Sequence, residues 1–542
     1  MGKKRVALLL LLLQILTLTA CGNSPAGLTV HTIDDKYRTF YEVFVYSFAD
    51  SDGDGIGDLS GLKEKLDYIS DGDDSTDEDL GANGIWLMPI MQSTTYHKYD
   101  VVDYLSIDSE YGSMEDFEQF MAACEERDIH VILDLVMNHT SAKHAWFLQA
   151  CDYLRSLDDG AEPSEADCKY FGYYNFTKEK KSEVYYPVEG TDWYYEGKFW
   201  DQMPDLNLYN ENVRAEFEQI VDFWLDKGVS GFRLDAVKEF ESDQAQKNIE
   251  ILSWFNDMVK SRKEDVYLVG EAWSDVSVYS GYYASGIDSF FDFQFADSGG
   301  IIANTLKGSS NSTAKTYAKA IVSEQELFAE QNEAYINAPF YTNHDMGRSA
   351  GYYSGDPSEA QTKIAQAMNL LMSGNAFLYY GEELGMKGSG KDENKRVGMY
   401  WSDDSDAPYM CDGPKDADSV KQKFGSLETQ KEEEYSVYSY VKQVIRLRNT
   451  YPAIARGTNE NLDEWTNEHI CALKKTYEDE ELILIYNISE EEQTLDLSEV
   501  TLRNQKLTEK NVSASLLTEE GQTVTVDGQT LTLPPYSVVI LY

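Results

Sequence analysis

The sequence has few basic residues for its size. Its 542 residues include 46 lysines and arginines against 95 aspartates and glutamates, which gives a formal net charge of −49. Binding to nucleic acid or to an anionic lipid surface requires clustered lysine and arginine, so this balance excludes both as main partners. The acidity indicates a solvated, self-repelling surface and does not identify a neutral ligand.

Long hydrophobic runs are also lacking, apart from one near the start. A basic segment at residues 3–5 precedes an apolar run over residues 6–18, which is short for a membrane span of about 20 residues and predicts a signal peptide. The run ends in Leu-Thr-Ala-Cys at residues 18–21, which resembles the lipobox of bacterial lipoproteins. The resemblance implies that residues 1–21 form the leader, that Cys21 is lipidated, and that lipid alone holds the chain on the outer side of a bacterial membrane. An uncleaved anchor with a chance cysteine is the alternative.

Cysteine is scarce, and five residues remain beyond Cys21. An odd number cannot all pair. Cys151 and Cys168 could close a loop in an oxidising compartment, although the sequence does not require it. No cluster has the spacing of a zinc site.

Short apolar segments alternate with longer helical patterns over most of the chain, which is typical of a parallel α/β sheet. Eight such strands with covering helices predict a closed (β/α)8 TIM barrel. The predicted strands are Tyr41–Phe48, Gly84–Pro89, His130–Val136, Gly231–Ala236, Val266–Glu271, Ser289–Phe295, Pro339–Asn343 and Ala376–Tyr380. Predicted helices include Met114–Arg127, Val213–Lys227 and Gln361–Ser373.

Two segments depart from this alternation. Residues 139–204, after the third strand, are rich in tyrosine, tryptophan and lysine without a clear period, which predicts an inserted subdomain. Residues 453–542 contain alternating apolar and polar positions between turns, which predicts an antiparallel C-terminal β-domain of the sandwich type. The barrel then takes residues 37–138 and 205–452, and residues 22–36 form a linker.

Acidic residues follow several of the predicted strands. In (β/α)8 enzymes the catalytic groups lie at the C-terminal ends of the strands. Asp235, Glu271 and Asp345 follow the fourth, fifth and seventh strands, so they are expected to meet at one barrel mouth. A single aspartate in this position is often only the N-cap of the next helix, but three such acids, with Arg233 two residues before Asp235, favour a catalytic site.

These residues belong to motifs that resemble the α-amylase family, glycoside hydrolase family 13. Four segments resemble its signature regions in the same order, and a fifth resembles a further one. The resemblance extends over residues 37–542 and implies the same barrel and an α-glucan substrate such as starch or maltooligosaccharides. The segments are Asp134–His139, Gly231–Asp235, Gly270–Trp273, Asn343–Asp345 and Met203–Asn207.

The resemblance also implies roles for single residues. Asp235 would be the nucleophile of a retaining reaction, Glu271 the general acid and base, and Asp345 a third acid that binds sugar hydroxyls. We expect Glu271 to have a raised pKa, because it must arrive protonated. Neutral histidines would donate hydrogen bonds to the sugar beside Arg233. The substrate-binding residues implied are His97, Tyr99, His139, Arg233, Lys238, His344, Asp392 and Arg396.

A run of aspartates follows the first strand. Asp50, Asp52, Asp54, the Ile56 carbonyl and Asp58 present oxygen ligands at alternate positions, which suits Ca²⁺. An EF-hand needs glutamate at its twelfth position, where this run has Gly61. The run resembles the first-loop calcium site of oligo-1,6-glucosidases and of intermediate α-amylases, which implies a structural ion. A second site in many α-amylases would use Asn138 with Asn207 and Glu239, and the last two positions depart from the usual residues.

The sequence indicates the type of glycosidic bond that is cleaved less strongly than it indicates the hydrolytic chemistry. A small residue after the nucleophile, here Ala236, resembles enzymes that cleave α-1,4 bonds, so an α-amylase is the first interpretation. Met203–Asn207 is typical of a group intermediate between oligo-1,6-glucosidases and neopullulanases, so a cyclomaltodextrinase, neopullulanase-like or transglycosylating enzyme is the alternative. A catalytically silent glucan-binding surface protein is a remote alternative, because such a protein would have no reason to keep all three acids.

The oligomeric state stays open. Candidate sugar platforms in the insertion are Trp146, Trp193, Tyr194, Tyr195 and Trp200.

Overall fold

The computed structural model describes residues 37–73, 75–158, 160–242, 244–309 and 311–542. The predicted leader, the linker and the lipidated Cys21 lie outside these ranges. Within them, no helix combines the length and the apolar composition needed to cross a membrane.

The catalytic part is a closed parallel barrel. Seven strands pair side by side in one sheet. The eighth position is filled by residues 338–340, which form parallel bridges from Ala338 to Phe291 on one side and from Phe340 to Phe377 on the other. The predicted (β/α)8 barrel is therefore confirmed. In the order of the sheet, the strands are Ser289–Phe290, Tyr267–Gly270, Gly231–Leu234, His130–Leu135, Gly84–Leu87, Thr39–Val43 and Ala376–Tyr379.

All the barrel strands differ in their bounds from the prediction, and three differ by more than two residues, among them the sixth, which is Ser289–Phe290 and not Ser289–Phe295. The first is Thr39–Val43 and not Tyr41–Phe48, because the apolar sequence continues into a buried 3-10 turn at Val45–Ser47. An apolar run cannot by itself distinguish a buried strand from a buried turn. The predicted seventh strand, Pro339–Asn343, consists only of the bridges at Ala338 and Phe340. Pro339 has no N–H to donate, so a continuous ladder cannot run through it.

Helices alternate with the strands and cover the barrel. The helix Met114–Glu125 shows how the sequence sets their starts: Ser113 and Asp116 form a reciprocal capping box, while Phe117 and Phe120 are buried. The helices are Leu59–Glu64, Leu66–Ile69, Met114–Glu125, Ala145–Ser156, Glu211–Asp226, Ala245–Arg262, Val276–Tyr282, Ile301–Leu306, Ala314–Gln331, Ser358–Leu370, Asp392–Lys395, Leu427–Lys431, Val437–Thr450 and Pro452–Arg456.

The barrel interior is filled by aromatic side chains. Phe40 stacks between Tyr267 and Phe377, with ring centroids 5.3 and 5.0 Å away. Trp86 and Phe291 extend this buried cluster across the lumen. The lumen is thus a packed core, and the polar residues at the C-terminal strand ends lie on top of it.

The segment after the third strand contains little regular structure. A short hairpin, Met91–Ser93 with Val101–Ile107, precedes it, and its own strands are Phe176–Thr177, Tyr185–Pro187 and Tyr194–Glu196. Aromatic contacts hold it together, such as Phe147 against Tyr195 at 4.8 Å. Cys151 and Cys168 are both free, as are the other cysteines of the described residues.

The C-terminal part is antiparallel, as predicted. A five-stranded and a three-stranded sheet enclose an apolar core that includes Ile483, Leu531 and Val539. The opposite face of the larger sheet packs on the barrel, where Tyr486 meets Tyr317 of the helix Ala314–Gln331 at 5.9 Å. The strands are Thr458–Asn461, Ile470–Tyr477, Glu480–Asn487, Gln493–Asp496, Thr501–Leu502, Gln505–Lys506, Val512–Leu516, Thr525–Asp527, Thr530–Leu533 and Ser537–Leu541.

Candidate active site

Asp235, Glu271 and Asp345 lie around one barrel mouth. Asp235 directly follows the strand Gly231–Leu234, and Glu271 directly follows the neighbouring strand Tyr267–Gly270. Asp345 follows the bridged segment that closes the barrel. Parallel strands end at the same edge, so residues from distant parts of the chain meet here.

Arg233 is the centre of this group. Its side chain is fully buried, and its Nη1 donates to Asp235 Oδ1 at 2.7 Å and to both carboxylate oxygens of Asp134 at 2.8 and 2.9 Å. Its Nη2 lies 3.1 Å from Glu271 Oε2. One guanidinium therefore faces three carboxyl groups, which fixes Asp235 and compensates part of the buried negative charge.

Glu271 is the carboxyl group suited to carry a proton. Burial raises its pKa to about 7, and the charges of Asp235 and Asp345 act in the same direction, against the opposing effect of Arg233. The backbone N–H of Ala236 donates to Glu271 Oε2 at 2.9 Å. Ala236 reaches this position in the left-handed conformation, at φ 46°, a geometry that costs a non-glycine residue about 1 kcal/mol or more.

Asp345 is held by two cationic groups. His344 Nε2 lies 3.0 Å from Asp345 Oδ2, and Arg396 Nη2 lies 2.9 Å from Asp345 Oδ1. Burial opposes the charge on Asp345, but His344 and Arg396 outweigh it and keep its pKa far below the usual range. Its side chain is 30% exposed, so this anionic carboxylate can reach a ligand in the mouth.

His344 differs from the neutral donor that the sequence predicts. Its Nδ1 lies 2.6 Å from Glu42 Oε1 of the first strand. Burial lowers its pKa, but Asp345 and Glu42 outweigh this effect and raise it to about 9. The ring is thus an imidazolium near neutral pH. Sequence reasoning missed Glu42, although a glutamate inside the apolar strand Thr39–Val43 is a usable signal.

Tyr99 and His97 lie beside this group. The Tyr99 ring stacks on His344 at 5.5 Å, and its hydroxyl donates to Asp134 Oδ2 at 2.9 Å. His97 Nδ1 accepts from the Tyr99 backbone N–H at 3.1 Å, and burial lowers the His97 pKa to about 4. Its ring is therefore neutral near pH 7. Both residues approach the mouth, with Tyr99 closer to the acids.

The predicted pair Asp392 and Arg396 separates in the structure. Arg396 reaches Asp345 directly, and its Nη1 donates to the hydroxyl of Tyr96 at 3.2 Å. Asp392 pairs instead with Lys395 at 2.8 Å and is largely exposed. Arg396 is thus part of the acid group, whereas Asp392 lies at its rim.

The opposite wall of the mouth is aromatic. His139 Nε2 is buried and has no hydrogen-bond partner within the described ranges, so it is free to donate to a ligand. The exposed Phe199 lies 5.4 Å from its ring. Trp273, 46% exposed, stacks on Phe293 at 5.3 Å, and Lys238 Nζ donates to the Trp273 carbonyl at 3.1 Å.

Only one of the five aromatic residues of the insertion that were predicted to stack on sugars is strongly exposed. This is Trp200, next to Phe199. Tyr195 is buried, and Trp146 packs against Tyr104 and Tyr173. Sequence reasoning missed Phe199, Trp273 as a platform, and Phe293, because exposure of an aromatic side chain depends on what the fold places over it.

Comparison with known proteins identifies the family of the chain that forms this site. A family model described as "Alpha amylase, catalytic domain" matches residues 42–457. The chain belongs to the α-amylase family. A second model, described as the "Alpha-amylase SusG C-terminal domain", matches residues 470–540. The chain is therefore a glycoside hydrolase of the α-amylase and α-glucosidase type, consistent with the signature motifs.

Relatives from this family cover nearly the whole chain. "Alpha-amylase 3" of Dictyoglomus thermophilum is 36% identical over 93% of this chain and 93% of its own length. "Glucan 1,6-alpha-glucosidase" of Streptococcus pneumoniae is 28% identical over 84% of this chain and 91% of its own. The solved structure of "Eubacterium rectale Amy13B" superposes with a TM-score of 0.90 and 49% identity, and the match covers 95% of this chain and 97% of that one.

The aspartate loop of this α-amylase family member forms an acidic cluster. Ligand oxygens of Asp50, Asp52 and Asp58 lie within 4.8 Å of one another. In the described part of the chain, no lysine or arginine pairs with any of the three, so their charges are left for a cation. Hard oxygen donors without a basic partner fit Ca²⁺. Asp54 accepts from the Ile56 backbone N–H at 2.8 Å and lies beside this cluster.

The second predicted metal position differs in its groups from the aspartate loop. Asn138 Nδ2 donates to Asp205 Oδ1 at 3.2 Å, and Asn207 Nδ2 donates to the Gly172 carbonyl at 3.4 Å. Glu239 is neutralised by the ammonium of Lys198 at 2.9 Å. Amide groups and an ammonium group thus lie at this position, and they suit a cation less well than the carboxylates of the aspartate loop.

Proposed function

We propose that the protein is a retaining α-glucan hydrolase that cleaves α-1,4 bonds in starch and maltooligosaccharides, an α-amylase. The observation that carries this proposal is the contrast between two carboxyl groups on adjacent strands. Asp235 is paired with Arg233 at 2.7 Å, whereas the pKa of Glu271 is raised to about 7. Glycoside cleavage by this route requires an oriented carboxylate nucleophile beside an acid that can give up a proton, and this pair of residues suits both roles.

The reaction proceeds in two displacements. Asp235 attacks the anomeric carbon while Glu271 gives its proton to the departing glycosidic oxygen, which leaves a glycosyl ester on Asp235. Glu271, now a carboxylate, takes a proton from water, and the water oxygen attacks the same carbon and releases Asp235. Arg233 orients Asp235 through a charge-assisted hydrogen bond. Asp345 binds sugar hydroxyls and favours the distorted ring.

Further residues line the sugar path. The buried free Nε2 of His139 donates to a hydroxyl, and Tyr99 gives its face to the apolar side of a pyranose. Phe199, Trp200 and Trp273 are exposed around the mouth, and Trp273 stacks on the half-buried Phe293. Aromatic surfaces on the rim of the mouth suit a polymer that passes across it, which supports internal cleavage.

The substrate panel distinguishes the candidates. Residues 22–542 are incubated with soluble starch, β-cyclodextrin, pullulan and isomaltose, and early products are separated by chromatography. We expect starch to give mixed α-maltooligosaccharides first, and Asp235→Asn and Glu271→Gln to be inactive. Faster attack on cyclodextrin, pullulan or isomaltose would instead identify the mixed-specificity or transglycosylating alternative. The similarity to a "Glucan 1,6-alpha-glucosidase" favours that alternative. Starch binding without hydrolysis would leave a glucan receptor.

We also propose a structural Ca²⁺ at the aspartate loop, held by Asp50, Asp52 and Asp58 with Asp54 and the Ile56 carbonyl as further ligands. The ion would neutralise the clustered carboxylates and stiffen the loop.

Attachment to the outer side of a bacterial membrane through lipid on Cys21 is a further proposal, supported by the leader motif alone. Metabolic labelling with a radioactive fatty acid, compared between the wild type and Cys21→Ala, tests it.

A further inference from the structure

Ser47 connects the first strand to the segment that carries Arg396. It ends the 3-10 turn Val45–Ser47 and is fully buried. Its Oγ donates to the Arg396 carbonyl at 2.7 Å. Its own carbonyl accepts from the Met399 backbone N–H at 2.8 Å. One residue thus makes two hydrogen bonds, one to Arg396 itself and one to the backbone three residues after it.

Arg396 in turn is one of the two cationic groups that hold the Asp345 carboxylate. The guanidinium is bound by Asp345 Oδ1 at 2.9 Å, by the His344 carbonyl at 3.2 Å and by the Tyr96 hydroxyl at 3.2 Å. Because these contacts use Nη2, Nε and Nη1, a shift of the Arg396 backbone would disturb all of them. Asp345 is partly exposed and therefore relies on such contacts for its orientation.

We propose that Ser47 is a positioning residue for sugar binding, acting through Arg396 on Asp345. This inference rests on the proposed glucan substrate. Ser47 itself does not touch the acids. By anchoring the Arg396 backbone, it keeps the Asp345 carboxylate in the orientation that grips sugar hydroxyls, so its effect belongs to ligand affinity and not only to folding.

The aspartate loop folds over the same turn. The Gly57 N–H donates to the Tyr46 carbonyl at 2.8 Å, and the Asp58 N–H donates to the Ala49 carbonyl at 3.0 Å. These bonds lie on either side of Ser47. A Cβ at Gly57 would stand 2.0 Å from the Val45 carbonyl, so the approach requires glycine. Ordering this loop with Ca²⁺ would therefore support Ser47, and chelation should weaken sugar binding as well as stability.

The test compares two matched serines in the inactive Glu271→Gln background. Ser537 is also fully buried and donates from Oγ to a backbone carbonyl at 2.7 Å, but it lies in the C-terminal β-domain. Ser47→Ala and Ser537→Ala should lower Tm by a similar few degrees. Only Ser47→Ala should weaken maltoheptaose binding in calorimetry, by about tenfold. Equal affinities of the two variants would overturn the proposal.

A double-mutant cycle tests the route through Arg396. In an Arg396→Ala background, Ser47→Ala should cause no further loss of affinity, because the group that it positions is already gone. Losses that simply add would show that Ser47 acts in another way. If the Glu271→Gln protein binds no maltoheptaose while its Tm is that of the wild type, the proposed function itself fails, and this result is distinct from failure of the Ser47 proposal.

Discussion

At the scale of residues, the site is a buried group with more carboxyl groups than cations. Arg233, His344 and Arg396 face five acids, namely Glu42, Asp134, Asp235, Glu271 and Asp345. An excess of buried negative charge is relieved by keeping some acids protonated. Burial accordingly raises the pKa of Glu42, of Asp134 to about 6 and of Glu271 to about 7. Burial of more acids than cations thus favours a protonated Glu271.

The pKa of Glu271 predicts the alkaline side of the activity profile. Glu271 must be protonated for the first step, so kcat/KM should fall as pH rises through about 7 and drop about tenfold for each further unit. Initial rates on soluble starch between pH 5 and 9 check this. Asp392→Asn, at the rim of the site, should keep the same profile. A wild-type rate that stays constant up to pH 9 would contradict the assignment of Glu271 as the acid.

At the scale of elements, the aspartate loop is a turn that brings several carboxylates together. Asp50 accepts the backbone N–H groups of Asp52, Gly53 and Gly55 at 2.7 to 3.0 Å. Gly53 and Gly55 adopt φ of 85° and 91°, which other residues rarely tolerate. The loop is therefore ordered around its own carboxylates, whose repulsion a cation would remove.

Removal of metal should lower stability. An ion present at about 100 times its Kd stabilises the folded state by about 2.7 kcal/mol, so EGTA should reduce Tm by about 2 to 3 °C in a chain of this size, and added Ca²⁺ should restore it. Asp52→Asn should weaken this response, whereas the exposed Asp463→Asn of the C-terminal β-domain should keep it. Scanning calorimetry gives the values, and identical Tm with and without EGTA would refute the calcium proposal.

At the scale of the whole molecule, the barrel and the C-terminal β-domain meet around a buried lysine. Lys475 Nζ donates to Ser373 Oγ at 2.9 Å and to the Ile454 carbonyl at 3.1 Å. Burial, aided by Arg448, lowers its pKa to about 7. The unfolded chain binds this proton up to about pH 10.4, so between pH 7 and 10 the unfolded state holds more protons and the lysine's cost to stability declines as pH rises.

Replacing this lysine should change how stability depends on pH. Lys475→Met should be more stable than the wild type at pH 7, and its advantage should shrink by about 1 kcal/mol for each unit up to pH 9. The neighbouring Lys474→Met, partly exposed and paired with Glu460, should differ from the wild type by a constant amount. Tm measured at pH 7, 8 and 9 provides the comparison. An advantage that does not change with pH would contradict the lowered pKa, because it would show that Lys475 stays protonated in the folded protein over this range.

The sequence alone determined the features that depend on local pattern. Alternating apolar strands and helices predicted the barrel, and the motifs around Asp235, Glu271 and Asp345 placed the acids at strand ends, because position along a parallel strand decides which edge a residue reaches. The spacing of Asp50, Asp52 and Asp58 likewise indicated a metal loop. Each of these inferences needs only neighbours along the chain.

Only the tertiary structure decided the features that depend on distant neighbours. The charge on His344 depends on the adjacent Asp345 and also on Glu42, some three hundred residues earlier in the chain. Lys198 pairs with Glu239 of the second predicted metal position, while Ser47 contacts Arg396, which follows the strand paired with the first barrel strand. The protonation state, the exposure and the orientation of a side chain depend on its burial and on the charged groups that folding brings near it. No local pattern in the sequence contains that information.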